Sequence, residues 1–294
     1  MNDDKCPLLY TDNIEAIPVD EADDIAGIVQ AMQFLLARHQ AKSGEFVADV
    51  HVKPHGYAKR EFRVLPNLPQ ELAQGLFGHD EDYSAVVRFS NAASQVQADA
   101  LPDGRGMAIK VSGVTGEIVS ADERSAPTQD FLMINHPVFF ARNAKDFLRL
   151  ERVIVQAEES PLAAQGALTG GDWNPLNWHW REMLSVAQTI GKLPAHPASN
   201  TYFSASPIRF GKHVAKYRVQ PAGDRQDSYL LSRQEIAALR QQAEYQNLAF
   251  NVWHALAAHR PLGAINRVRR AAYPVSSAWR RQKKHVKSEV PPSV

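Results

Sequence analysis

Apolar residues recur at helical spacing near the start of the chain. Within residues 21–41 they lie three or four positions apart, with acidic residues in the first turn and Lys42 just after the last turn. The apolar positions are Ile25, Ile28, Val29, Met32, Leu35 and Leu36. This spacing predicts a helix over residues 21–41.

Over residues 46–65 the helical spacing is replaced by an alternation of apolar and polar residues. The runs VADVHVK and KREFRVL alternate and are rich in β-branched and aromatic residues, which is typical of extended strands. Residues 83–90 and 106–111 are two further strand candidates, and the turn-rich segment LPDGRG lies between them.

Helical spacing dominates after Asn135. The pattern predicts helices over residues 144–157, 182–190, 232–248 and 265–279, and one strand over residues 213–219. A loop rich in Gly, Pro and Trp precedes the second of these helices at residues 166–178. Ser232 and Glu235 form a capping box for the third, and Pro274 interrupts the fourth.

The strands therefore come first and the helices later, without regular βαβ alternation. This order predicts an α+β fold with an antiparallel sheet or barrel rather than a doubly wound sheet. A length of 294 residues with 44% hydrophobic residues is enough for one large domain. The basic tail from Arg280 onwards ends in VPPSV, and we expect residues 282–294 to be disordered.

The composition of the chain excludes some classes of function. The 33 Lys and Arg against 32 Asp and Glu leave a net charge of +1, which argues against a dedicated nucleic-acid-binding protein. The first residues are acidic and lack the apolar run of a secretory signal, and no stretch approaches the roughly 18 apolar residues of a membrane span. With Cys6 as the single thiol, these features predict a cytoplasmic protein without a membrane partner.

Four short segments carry candidate chemistry, and the first contains His51 and His55. Residues four apart share one face of a strand, so the pair could form half of a metal site. An ordinary hydrogen-bonded histidine is the alternative, favoured because no acidic or cysteine third ligand is obvious nearby.

The second segment places Arg88 in an apolar strand, where burying a charge is costly unless it is paired. One interpretation is a salt bridge to Asp99 or Asp103. The other is an anionic ligand, because the guanidinium fork suits carboxylates and phosphates.

The third segment ends an apolar run at Asn135, directly before His-Pro and a pair of phenylalanines. Asparagine at such a position commonly forms a turn. The alternative is an amide donor at the edge of a pocket walled by phenylalanines.

The fourth segment places Arg269 and Tyr273 four residues apart, on one helix face. A phenol titrates near ~10, so a tyrosinate at neutral pH must be stabilised by about 4 kcal/mol, which a cation and a ferric ion would supply. A packed tyrosine on an exposed helix is the alternative.

Taken together and in this order, the segments resemble those of the catalase family. The shared features are His51-x-Lys53 with Gly56 and Glu61-Phe62-x-Val64, the Val-Arg-Phe-Ser strand, the Asp-x-Arg-Gly turn, Asn135-x-Pro-Val-Phe-Phe, and Arg-x-x-x-Tyr-Pro. More narrowly, the chain resembles the bacterial catalase-like haem-binding proteins, through TQDFLMINHPVFFARNAKDF, NTYFSASPIRFGKHVAKYRV and FNVWHALAAHRPLGAINRVRRAAYP.

The resemblance implies a haem-binding domain over residues 20–281, preceded by an extension at residues 1–19. It implies a catalase-like antiparallel β-barrel with surrounding helices. The segment between Val219 and Leu248 is too short for the late barrel strands of the family, so we expect an incomplete barrel.

It also implies roles for individual residues. His51, Asn135 and Ser90 correspond to the catalytic residues on the distal side of the haem: the histidine transfers the peroxide proton, the amide polarises the peroxide, and the hydroxyl orients the histidine. Tyr273 corresponds to the proximal iron ligand. The remaining cofactor-binding positions are Arg88, Phe140, Phe147, Arg269 and Arg280.

The resulting prediction is a haem peroxidase or catalase-type oxidoreductase that reduces hydrogen peroxide or organic hydroperoxides under oxidative stress. Its partners would be the peroxide and, since catalases are commonly oligomeric, further copies of the chain. One alternative is a degenerate catalase-like haem-binding protein with little turnover. Another is a basic patch for nucleic acid or acidic membranes, formed by Arg267, Arg269, Arg270, Arg280, Arg281, Lys283 and Lys284; the near-neutral overall charge argues against it.

Overall fold

A computed structural model of the chain describes residues 7–44, 46, 51, 54–92, 102–120, 127–159, 169, 174–178, 180, 183–184, 187, 191, 196–222 and 249–288. Within these residues the fold is α+β, as the order of predicted elements indicates. No helix in this part of the chain has the length and apolar character needed to cross a membrane.

A six-stranded antiparallel sheet, curled into half of a barrel, forms the centre of the fold. Its strands follow the order β1-β2-β3-β4-β5-β8, and β6 and β7 form a separate hairpin. The strands are β1 (Pro54–Arg63), β2 (Asp82–Asn91), β3 (Arg105–Ser112), β4 (Thr128–Ile134), β5 (Tyr202–Ser204), β6 (Ile208–Phe210), β7 (His213–Ala215) and β8 (Arg218–Val219).

The register of β2, β3 and β4 separates the two faces of the sheet. Val87 pairs with Ile109, which pairs with Phe131, and all three are buried in the hydrophobic core. Because successive side chains point to opposite faces, the adjacent row with Arg88 and Ala108 faces the other way. This second face is where the candidate site lies.

The described residues include three α-helices: α1 (Glu21–Ser43), α2 (Ala144–Glu159) and α3 (Ala264–Ser288). They meet through a second apolar cluster that contains Ile28, Leu148 and Val268. At the contact between α1 and α2, a Cβ on Gly27 would lie 3.0 Å from Leu148 Cδ1. The apolar stripe predicted for residues 21–41 therefore forms a helix–helix interface.

The early element predictions are confirmed. Residues 21–41 lie in α1, residues 59–63 in β1, residues 83–90 in β2, residues 106–111 in β3 and residues 144–157 in α2. The strand prediction for VADVHVK falls mainly outside the described residues. The same is true of most of the predicted loop at residues 166–178, most of the predicted helix at residues 182–190, and all of the predicted helix at residues 232–248.

Three later predictions are wrong in part. Residues 213–219 form two short strands in different sheets, since β7 pairs with β6 and β8 pairs with β5. Pro274 lies inside α3 without ending it, because proline removes one backbone donor while the neighbouring turns keep theirs. The same helix continues to Ser288, so residues 282–288 are helical and not the disordered tail expected there.

Candidate functional site

A cavity of about 480 Å³ lies between the second face of the sheet and α3. This volume is in the range of small-molecule and cofactor pockets. Six of the nine predicted site residues line the cavity: His51, Arg88, Ser90, Arg269, Tyr273 and Arg280. The tertiary structure thus brings together residues that are up to 229 positions apart in the chain.

His51 is held in an uncommon backbone conformation, with a φ of 58°. A left-handed φ costs energy in a residue other than glycine and is concentrated at functional sites. The His51 carbonyl oxygen accepts a hydrogen bond of 2.7 Å from Arg88 Nη2, and its amide donates to Ala92 O at 3.4 Å. These contacts hold the strained backbone from both sides.

The imidazole of His51 is neutral near physiological pH. Burial lowers its pKa to about 4, and the positive charges of Arg88 and Arg269 act in the same direction. Its Nδ1 lies 2.6 Å from the carbonyl oxygen of Asn91. Because a carbonyl oxygen can only accept, Nδ1 carries the proton, and Nε2 is the basic nitrogen of the ring.

Ser90 and Gly106 complete the support of the imidazole. Ser90 Oγ lies 3.1 Å from His51 Nδ1, the contact expected of a hydroxyl that orients the histidine. A Cβ on Gly106 would lie 2.6 Å from His51 Cε1 and 2.9 Å from Ser90 Oγ. The ring can therefore occupy its position only because residue 106 has no side chain.

Three arginines in the cavity wall lack an acidic partner within the described residues. Arg88 donates to the His51 carbonyl, Arg269 Nη1 lies 3.5 Å from Asn266 Oδ1, and Arg280 Nη2 lies 3.4 Å from Ser277 Oγ. Burial and the positive charge of Arg88 lower the pKa of Arg280. Such a set of guanidinium groups suits an anionic ligand with carboxylates.

Tyr273 enters the cavity wall from α3, one helical turn after Arg269. The i, i+4 spacing predicted that the two side chains share a face, and both line the cavity. Pro274 and Ala272 flank Tyr273 in the wall, so this turn of α3 forms the side of the cavity opposite the sheet.

Asn135, Phe140 and Phe147 are not among the residues that line the cavity. The Asn135 amide is buried, and its Oδ1 accepts from the backbone amide of Arg105 at 2.9 Å. Phe140 and Phe147 contact each other and Phe139, and the Phe139 ring lies 5.9 Å from the Arg269 guanidinium carbon. Phe139 therefore links Phe140 and Phe147 to an arginine of the cavity wall.

Two further interpretations were a salt bridge from Arg88 to Asp99 or Asp103, and a metal site that includes His51 and His55. Asp103 lies 4.0 Å from Arg105 rather than pairing with Arg88, and Asp99 falls outside the described residues. His55 Nε2 bonds to Asn91 Oδ1, and within the described residues no group of three His, Cys, Asp or Glu side chains could hold a metal ion.

The predicted basic patch is divided in the structure. Arg267 pairs with Glu15 and Glu21, and the Arg270 guanidinium carbon lies 4.9 Å from the centroid of the Trp253 ring. Arg269, Arg280 and Arg281 line the cavity.

Several residues of the site were not predicted from the sequence. Asn91 and Gly106 contact His51, yet one acts through its backbone carbonyl and the other through the lack of a side chain. His254 also lines the cavity; its Nδ1 lies 3.2 Å from Asp130 Oδ2 and 3.3 Å from Lys110 Nζ. An Asp130 carboxylate within the apolar run before Asn135 was the available signal for this cluster, because a buried charge requires partners.

In comparisons with known proteins, no family model matches the chain, and no curated protein matches it.

Proposed function

We propose that this chain is a haem-dependent peroxidase of the catalase-like type, which reduces hydrogen peroxide or organic hydroperoxides. One observation carries the proposal: a single cavity has a neutral histidine in its wall at His51, a tyrosine at Tyr273, and arginines without acidic partners among the described residues. The resemblance of the four sequence segments to catalases supports the same conclusion.

The donor set suits a haem. Its two propionates are carboxylates, and Arg88 and Arg280 would bind them through charge-assisted hydrogen bonds. Tyr273 Oη would ligate the iron, and Arg269, one turn away, would stabilise the phenolate. A bound ferric haem would supply the two-electron redox chemistry that reduces the peroxide to water or an alcohol, with a second peroxide or an organic donor returning the electrons.

His51 would move the proton. Its Nε2 is the basic nitrogen and its neutral form dominates above about pH 4, so it can accept the proton of a peroxide and return it to the departing oxygen. Ser90 and Gly106 keep the ring in place for both transfers. Pre-organisation of this kind is what general acid–base catalysis requires.

A haem-binding protein with little turnover is the second candidate. The observation that favours it is the position of Asn135, whose amide oxygen bonds to Arg105 outside the cavity lining. Without an amide donor beside the peroxide, His51 would act alone and turnover would be slow, while haem binding would persist.

An absorption spectrum of the full chain supplied with haem tests the proposal. We expect a Soret band and the spectrum of ferric haem with a tyrosinate ligand, and we expect Tyr273→Phe to lose that spectrum. Tyr10→Phe serves as the matched control, because Tyr10 lies under Arg209 and away from the cavity. A haem-replete chain with no Soret band would sink both candidates.

Peroxide consumption then separates the two candidates. We expect His51→Ala to bind haem as the parent chain does and to lose at least about 100-fold of its peroxide consumption, since general acid–base catalysis contributes factors of that size. His79→Ala, an exposed histidine outside the cavity, is the control. Equal, slow consumption by the parent chain and His51→Ala would favour the haem-binding protein.

A further inference from the structure

Asn91 connects the imidazole of His51 to a buried polar network. It is the last residue of β2, is fully buried, and pairs in register with Arg105, the first residue of β3. Its carbonyl oxygen receives the His51 Nδ1 proton at 2.6 Å. Its side-chain Oδ1 receives Arg105 Nη1 at 2.8 Å and is also bonded by His55 Nε2.

We propose that Asn91 is a positioning residue that sets the tautomer and orientation of His51, and that the buried guanidinium of Arg105 holds Asn91 in place. No feature of the catalase resemblance assigns this role to either residue. The role of this positioning in proton transfer by His51 rests on the proposed function above. The contacts among His51, Asn91 and Arg105 do not depend on that function.

Arg105 holds Asn91 in place, and the buried guanidinium of Arg105 in turn requires the Asn91 Oδ1 as an acceptor. The guanidinium is buried, with 4% of the side chain exposed, and the Asp103 carboxylate lies 4.0 Å away from it. A buried cation is costly unless its N–H groups are bonded. The Asn91 Oδ1 supplies a short bond, so rotating Asn91 out of place would leave a charged donor without that acceptor.

The backbone conformation of His51 requires neighbouring contacts that stabilise it. A φ of 58° favours relaxation unless neighbouring groups oppose it. Because the Asn91 carbonyl lies at the end of β2, its direction is set by the pairing of Asn91 with Arg105. The bonds that Arg105 and His55 make to Asn91 Oδ1, here called the Asn91 clamp, therefore control the orientation of the imidazole.

Ser90 cannot set the tautomer in the same way. Its hydroxyl lies 3.1 Å from Nδ1, farther than the carbonyl at 2.6 Å, and a hydroxyl either donates or accepts. Only the carbonyl requires a proton on Nδ1. Removing the Ser90 hydroxyl is thus a matched control for removing the Asn91 clamp.

The test is the tautomer of His51 in the full-length, 15N-labelled chain purified without added haem. Long-range 1H–15N spectra at pH 7 distinguish protonated from unprotonated ring nitrogens, and the His51 signals are assigned by their loss in His51→Gln. In the parent chain we expect a protonated Nδ1 and an unprotonated Nε2. Neutral histidine in water favours the reverse, so the expected result is informative by itself.

The variants then test the clamp. We expect Asn91→Leu and Arg105→Met to lose the exclusive Nδ1–H form, with the Nδ1 resonance shifting towards the unprotonated position. Ser90→Ala and the exposed Arg63→Met should keep it. Asn91→Asp should also keep it, because it retains acceptors for Arg105 and His55, and the Nδ2 that it replaces has no hydrogen-bond partner among the described residues.

Two outcomes overturn the proposal: a parent chain with a protonated Nε2, or folded Asn91→Leu and Arg105→Met chains that keep the parent tautomer. If these two variants do not fold, as judged by circular dichroism, a protonated Nε2 in the parent chain or in folded Asn91→Asp overturns the proposal. The Nδ1–H form in a chain that shows no Soret band with haem would uphold the positioning role and refute the haem function.

Discussion

At Gly106 the backbone of β3 passes directly beneath the imidazole of His51. We expect Gly106→Ala to displace the ring, because the new methyl would lie within 3 Å of Cε1, Nδ1 and Ser90 Oγ. A displacement of about 1 Å can lower a catalysed rate by up to roughly 100-fold, and overpacking costs about 1–3 kcal/mol of stability.

Peroxide kinetics and urea unfolding measure these two effects of Gly106→Ala. Gly78→Ala is the control, since a Cβ there meets Ala73 O at an ordinary 3.7 Å. Unchanged kinetics in Gly106→Ala would contradict the close support of His51.

His259 makes the folded chain sensitive to acid. Burial lowers its pKa to about 4, whereas an unfolded histidine titrates near ~6.5. Between these values the unfolded chain binds more protons, so the free energy of unfolding falls as the pH falls. From pH 7 to pH 5 the loss from this residue is about 2 kcal/mol.

Urea unfolding at pH 7 and pH 5 measures that loss. We expect His259→Gln to be less sensitive to the change of pH by about this amount, because glutamine does not titrate and can still accept from the Leu76 amide, which lies 3.0 Å from His259 Nε2. The exposed His79→Gln should retain the full loss. Equal pH dependence in the parent and His259→Gln would refute the assignment.

At the scale of elements, the buried ion pair between β3 and β4 joins the sheet to the segment that carries His254. Lys110 and Asp130 pair in register, with Nζ 2.8 Å from Oδ1, and Asp130 Oδ2 also accepts from the Asn251 amide at 2.9 Å. We expect Lys110→Met to lower the free energy of unfolding by about 3–5 kcal/mol, because it leaves Asp130 charged and buried.

Chemical denaturation measures the change, with the exposed Lys59→Met on β1 as control. Adding Asp130→Asn to Lys110→Met should recover part of the loss, since an amide carries no charge to bury while its oxygen can still accept from Asn251. A cost below 1 kcal/mol for Lys110→Met would show that Asp130 is not held as a charged group.

The elements differ in how well their sequences predict them. β2 and α1 bury one face each, so their apolar residues follow a period of two or of about 3.6 residues. β4 is buried along nearly its whole length, and its run FLMI therefore lacks the alternation that identifies a strand. β5 to β8 contain two or three residues each and exist only because they pair with longer strands or with one another.

At the scale of the whole molecule, Arg267 fastens the N-terminal part of the chain to α3. Its guanidinium bonds to both Glu21 carboxylate oxygens and to Glu15, and the Glu21 side chain is 4% exposed. We expect Arg267→Met to destabilise the packing of α1 on α3 by about 2 kcal/mol, less than for a fully buried pair because Arg267 is partly exposed.

Hydrogen exchange distinguishes this local effect from a global one. The amides of α1 should lose protection by a larger factor than those of β2 and β3, since α1 would open without the sheet unfolding. Arg142→Met, which removes a surface ion pair with Asp146 on α2, should change little. Equal loss of protection in α1 and the sheet would contradict the prediction.

The sequence by itself determined the chemical types at the site and the pairs that are close along the chain. Arg269 and Tyr273 share a face because α-helical spacing requires it, and Arg88 and Ser90 share a face because strands alternate. The class of fold followed from the order of the periodic segments.

Only the tertiary structure decided which of these faces meet. Strand register and helix docking bring His51, Gly106 and Tyr273 together across the chain, and they place Asn135 outside the cavity lining, with its Oδ1 on the Arg105 amide. The proton on His51 Nδ1 depends on the carbonyl of Asn91, a group that every residue carries. Such a contact has no signature in the sequence, because it is set by the position of the backbone and not by the identity of a side chain.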